Sequence, residues 1–198
     1  MTSTRNRVVL AIITPILLML TACGINSIPT AEENAKAKWA DVQNQYQRRS
    51  DLIPNLVNTV RAAAQQERTV LREVTEARAS ASRITVTGEQ LTDPDAIARY
   101  SAAQAQLTLS LQRLQEAYPE LRTNQNFLTL QDQLEGTENR ITVARRDYNG
   151  AVQAYNTEIR TFPSVIGARV IYGSQPMAPF QAEEAAQRAP TVDFGNQQ

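Results

Sequence analysis

Carboxylates are the side chains here with the means for acid–base work, and two of them stand out by position. Glu67 interrupts an apolar helical stripe, and Glu138 lies one heptad before Arg145, so those two share a helix face. A lone carboxylate inside a bundle is costly, so Glu67, Glu138 and Arg145 are expected to form a buried polar cluster. Two carboxyl groups across a cleft would also suit glycoside hydrolysis. No pocket-forming loop flanks these positions, however, and fixing helix register is the stronger reading. Arg48, Arg49, Asp51 and Asn55 make a second constellation, a candidate surface for a protein partner. Its plainer reading is Asp51 as a helix cap, Asn55 on exposed backbone and two solvated arginines. Asn149 and Asn156, one heptad apart beside Tyr148 and Tyr155, would bond a partner strip or a neighbouring helix. The remaining reactive group is the thiol of Cys23, the single cysteine.

The chain contains no histidine. It therefore lacks the commonest metal ligand and the one side chain that titrates unperturbed near neutrality. Zinc sites of the Cys/His type, histidine-ligated haem and Ser-His or Cys-His nucleophilic pairs are excluded with it. Lysine occurs only as Lys36 and Lys38, near the start of the mature chain, which disfavours a Ser-Lys dyad. No catalytic residue, cofactor or metal is assigned, and an enzyme is not expected. Twenty basic residues balance twenty acidic ones, which is no electrostatic footprint for nucleic acid.

Arg5 and Arg7 precede an apolar run from Val8 to Leu20, interrupted by Thr14 and Pro15 and closed by Thr21-Ala22-Cys23. Basic, apolar and small-residue parts in that order make a secretory signal. A spanning helix would need about 20 apolar residues. Leu20-Thr21-Ala22-Cys23 resembles the bacterial lipobox, which implies cleavage before Cys23 once diacylglycerol is attached to its sulfur. Residues 1–22 are thus expected to be a lipoprotein signal peptide, and Cys23 a lipidation site bearing palmitate-like chains. One acyl chain anchors marginally and further chains anchor stably. The mature protein would sit on the extracytoplasmic face of a bacterial membrane.

The elements that must position these residues are helices. Residues 23–30 read as a tether. Thr30 with Glu33 reads as a capping box that starts a helix over about 31–49. Pro54 lacks an amide hydrogen and would clash with the carbonyl of Ser50, so a break at Ser50–Asp51 is predicted. A second helix over about 52–82 carries Ile53, Leu56, Val60, Ala63, Val70, Val74, Ala77 and Ala81 at helical spacing. Residues 83–92 turn to β-branched types and glycine and read as a loop. Asp93-Pro94-Asp95 restarts a helix that runs to about Tyr118, with Ile97, Tyr100, Leu107, Leu111 and Leu114 inward. The last helix, about 124–162, repeats Phe127, Leu130, Leu134, Thr137, Ile141, Ala144, Tyr148, Ala151 and Tyr155 with a period of ~3.5, the mark of left-handed helix packing. Residues 163–198, interrupted by Gly167, Gly173, Pro176, Pro179 and Pro190, read as an extended tail. A helical turn near Ala182 to Arg188 is possible within it, and Phe180, Val192 and Phe194 are able to dock it. Short connections favour antiparallel neighbours. The expected fold is all-α, an antiparallel up-and-down four-helix bundle over 31–162, with a kinked three-helix bundle as the alternative.

Trp39, the run from Arg48 through Pro54 to Val60, Tyr118-Pro119-Glu120-Leu121 and Asn126-Phe127 together resemble the LemA family. So do Leu134 to Ile141, Ala144 to Asn149, Tyr155-Asn156, Phe162-Pro163 and Ala189 to Phe194. The resemblance spans roughly residues 35–195. It implies an antiparallel helical bundle tethered outside the cytoplasmic membrane, in a family without an agreed biochemical activity. Two departures are visible: a lipobox replaces the usual N-terminal membrane helix, and Gln66 stands where many members have histidine. The expected function is a lipid-anchored scaffold or adaptor with protein partners in the envelope. The alternatives are a carboxylate-based envelope hydrolase and a lipid- or small-ligand-binding bundle. Partners are expected at the turns near 48–54 and 118–124, far from the membrane, with the 83–92 loop and the tail close to it.

Overall fold

A computed structural model describes residues 26–63 and 69–181, and among these the chain is helical without a strand. Four helices carry the fold: α1 (Ser27–Ala63), α2 (Thr69–Arg83), α3 (Pro94–Ala117) and α4 (Gln125–Glu158). A short α5 (Ser164–Gly167) then runs into a π-helical turn (Ala168–Tyr172). Ser27 bonds Glu158, Trp39 meets Tyr148 and Arg49 meets Glu138, so α1 and α4 run antiparallel over most of their length. α2 returns beside α1, bringing Arg78 and Ser82 to Ser50. α3 rises parallel to α1, with Tyr100 at Trp39 and Gln104 at Arg49. The order is up, down, up, down.

The starts of α3 and α4 form as the sequence predicts. Asp93 accepts the amide of Asp95 at 2.9 Å, and Asn124 accepts those of Asn126 and Phe127 at 3.0 and 3.2 Å, which satisfies amides that have no helical acceptor. The first helix differs. It begins at Ser27 rather than Thr30, so residues 27–30 of the expected tether are helical, and the Thr30 hydroxyl bonds back to the Asn26 carbonyl at 2.9 Å instead of capping. Nor does α1 break at Ser50–Asp51; Pro54 lies inside it. The carbonyl that Pro54 leaves without a donor is that of Ser50, and Arg78 of α2 donates Nε–H to it at 2.9 Å. Neighbouring tertiary structure supplies the bond that the imino acid cannot. The expected helix over 52–82 is therefore two pieces, α1 to Ala63 and α2 from Thr69. The tail likewise opens as helix over 164–172 before it becomes extended.

The core lies in two blocks. The lower one gathers Trp39, Tyr100, Tyr148, Tyr155 and Phe180, and the upper one Ile53, Leu56, Leu107, Leu114 and Phe127. Between Tyr46 and Ile53 of α1 sits Arg49, between Tyr100 and Leu107 of α3 sits Gln104, and between Leu134 and Ile141 of α4 sits Glu138. A polar layer separates two apolar ones.

Candidate functional site

Arg49 is 2% exposed and donates to the Thr108 hydroxyl (2.8 Å), Glu138 Oε2 (3.0 Å), the Gln104 carbonyl (3.1 Å) and Gln104 Oε1 (2.7 Å). Its guanidinium lies over the Tyr46 ring at 5.0 Å, a placement suited to a flat cation. Both constellations expected from the sequence are divided differently in the fold. Arg49 is no part of a solvent surface, and the partner of Glu138 is Arg49 rather than Arg145. Arg145 instead donates to the Gln181 carbonyl at 3.2 Å and lies over the Phe180 ring at 4.8 Å. Heptad spacing put Glu138 and Arg145 on one face, but α1 claims the first through Arg49 and the extended segment at Phe180–Gln181 claims the second. Asp51 is exposed within α1 and accepts Gln47 Nε2 at 2.7 Å, so it caps nothing. Asn55 is exposed one turn further on. Arg48 lines a shallow α1–α4 cleft of about 440 Å³ with Leu52, Asp132 and Arg140. Glu67, Gln66 and Cys23 lie outside the described residues, as do residues 1–22, Ala182 to Arg188, Val192 and Phe194.

The lower core is built around Trp39. Its ring centroid is 5.3 Å from that of Tyr100, 5.2 Å from Tyr148 and 5.5 Å from Phe180. Its indole N–H donates to the Val86 carbonyl at 2.9 Å, and Gln43 bonds the same oxygen at 3.1 Å. One side chain thereby joins α1, α3, α4, the 84–87 connection and the extended segment 174–181. Burial pushes the phenols of Tyr100 and Tyr148 well above their ordinary range, because the interior disfavours phenolate.

That extended segment is a strap, held by main-chain bonds. Asn149 accepts the Phe180 amide at 2.8 Å and donates to its carbonyl at 3.0 Å; Asn156 does the same for Met177 at 2.8 and 2.8 Å. The Tyr148 hydroxyl donates to the Ala178 carbonyl at 2.9 Å, and the Ala178 amide to Leu91 O at 2.8 Å. Each carboxamide thus pairs with the backbone as a neighbouring strand would. The strip these asparagines bind belongs to the chain itself.

Clefts flank the strap on both sides. One of about 750 Å³ separates it from α3 and is lined by Ile97, Ala98, Ala102, Ala105, Met177 and Pro179, with Arg160 at its end. The other, of about 470 Å³, runs along α4 beside Gln153 and Thr157. With these features goes a family match: the LemA family model covers residues 38–194, most of the chain.

The chain belongs to the LemA family. No curated protein matches it. In this LemA bundle the residues most occupied in joining elements include Gln104, Arg78 and Val86, which no motif marks, and Arg49, expected at the surface and found inside. Gln104 fills the gap in the α3 stripe between Tyr100 and Leu107, and Arg49 the matching place in Val42, Tyr46, Ile53 and Leu56. A polar residue at an inward place of a 3–4 repeat is the signal that would have revealed both. Arg78 and Val86 carry no such signal, since a main-chain acceptor has no signature in sequence.

Proposed function

We propose that this LemA-family protein is a lipid-anchored adaptor on the extracytoplasmic face of a bacterial membrane. Acylated Cys23 moors it, and the clefts beside the strap receive a segment of a protein partner in the envelope. The reading rests above all on the cleft of about 750 Å³ between α3 and the strap. Small side chains floor it, rings fill the core behind it, and one wall is a chain segment already held extended. A filled interior with clefts outside suits a bound segment better than a sequestered substrate. The scarcity of carboxylates along these clefts supports the same choice over a hydrolase. Glycoside cleavage needs two carboxyl groups about 5–9.5 Å apart, whereas Asp132 is the one carboxylate lining the three clefts described.

A second reading, a small-ligand or lipid-binding bundle, draws on the same cleft, whose size lies within the roughly 300–1,000 Å³ usual for such sites. A photoreactive residue placed at Ala102 in cells separates the two. The adaptor reading expects a discrete protein adduct from Ala102, none from Asn58 on the opposite reach of α1, and its loss in Cys23→Ser. Adducts to small molecules alone would favour the ligand reading. Unchanged membrane fractionation of Cys23→Ser would end the anchored one.

A further inference from the structure

Among the described residues, the large apolar side chains left exposed are concentrated in one place. Phe162 is 77% exposed, Ile166 52%, Val170 79%, Ile171 59% and Tyr172 44%, leaving only Leu109 and Val143 elsewhere. The segment is inverted relative to an ordinary surface helix. Ser164, Gly167 and Ala168, all small, face the bundle and are buried, while the bulky residues point away. Water-facing positions are normally polar, and a contiguous apolar patch marks a contact surface.

Position says what the contact is. Glu158 accepts hydrogen bonds from both Ser27, at the first turn of α1, and Ser164, at the first turn of α5. The patch therefore sits at the end of the bundle where α1 begins. Cys23 precedes Ser27 by four residues, a reach of at most about 14 Å even when fully extended. Charge agrees: no acidic residue occurs between Glu158 and Glu183, while Arg160 and Arg169 are both exposed there. An apolar face bordered by exposed arginines, with the Glu158 carboxylate beside it already engaged by Ser27 and Ser164, fits an anionic lipid surface.

We infer that the 162–172 segment seats the bundle on the bilayer that holds its anchor, with Phe162, Ile166, Val170, Ile171 and Tyr172 entering the headgroup–acyl boundary. The inference rests on the lipid-anchored reading. It adds that the protein stands on the membrane at a fixed face rather than swinging on a tether, with the C-terminal ends of α1 and α3 outward.

Val170→Cys offers a single labelling site, because acylation blocks the only native thiol. The full-length protein, purified with its lipid and reconstituted in phosphatidylethanolamine–phosphatidylglycerol vesicles, is labelled there with an environment-sensitive fluorophore. Asn58→Cys serves as the distal control. Lipid-borne spin labels are expected to quench position 170 at least about twofold more than position 58. Adding Phe162→Ser and Ile166→Ser should remove that difference. Equal quenching at both positions in acylated protein overturns the seating and leaves the anchor standing. Protection at 170 that depends on protein concentration and persists without lipid assigns the patch to a second copy, and overturns it too. A mature N-terminus that mass spectrometry finds unacylated sinks the anchored reading, and the seating with it.

Discussion

Arg49 donates four hydrogen bonds from a site with almost no solvent, so removing it strands acceptors that water does not reach. The Gln104 side-chain oxygen loses its guanidinium donor while the Gln104 carbonyl keeps the Thr108 hydroxyl at 3.2 Å, and Glu138, 46% exposed, turns to solvent. Arg49→Met is therefore expected to cost about 3 kcal/mol, while Glu138→Gln costs under about 1 kcal/mol. Urea unfolding of the two variants checks the asymmetry, and equal losses would refute it. The role envisaged for Glu67, Glu138 and Arg145, a polar layer that fixes register, is served by Arg49, Gln104, Thr108 and Glu138. Sliding α1 against α4 by one turn would place the guanidinium among the rings or the leucines, where nothing accepts its protons.

Elements depend on partners that their own sequence does not contain. α1 survives Pro54 because α2 lends Arg78 to the Ser50 carbonyl. Arg78→Ala should destabilise the parent protein by about 1 kcal/mol more than it destabilises Pro54→Ala, which restores the helical donor. A double-mutant cycle measures that coupling, and strict additivity would mean that the Arg78 bond is incidental. The strap is the other dependent element. It lacks a hydrogen-bonding ladder of its own and relies on Asn149, Asn156 and the insertion of Phe180 among Trp39, Tyr100 and Tyr148. Asn149→Ala removes both bonds to Phe180, and faster amide exchange over residues 177–181, with α1 and α3 unaffected, is the expected result. If the whole bundle exchanged faster, the strap would belong to the global folding unit.

Across the whole molecule, pH should loosen the strap and the seat of the tail at opposite ends of the scale. Bonds from Ser164 and then Ser27 hold the Glu158 carboxyl below the usual carboxylate range. A depressed value means the contribution is present above the ordinary pKa and is lost as pH falls through the folded value. Acid should therefore release α5 from the start of α1 before the core unfolds. Buried Tyr148 and Tyr100 are shifted the other way. Their contribution is whole below the ordinary phenol value near ~10 and declines as pH rises past it. The strap should loosen progressively above that value and detach as pH nears the raised folded one, where a phenolate can no longer donate to the Ala178 carbonyl. Amide exchange of 164–172 in acid and of 177–181 in alkali tests both, and a strap indifferent to alkali would contradict the second.

Periodicity and capping residues by themselves determined the all-helical class, the antiparallel order, the starts of α3 and α4, and the inward rows from Phe127 to Tyr155. These follow from local chemistry: a short polar cap bonds the next amides, and a 3–4 repeat buries one stripe. Tertiary structure alone decided that α1 passes through Pro54, that Arg49 turns inward to Glu138 while Arg145 turns to the tail, and that Asn149 and Asn156 grip a strap of the same chain. Apart from the Glu138 carboxylate, the deciding partners are mainly main-chain carbonyls and amides many residues away. Such groups exist at every position, so only the packed chain shows which one comes within bonding distance.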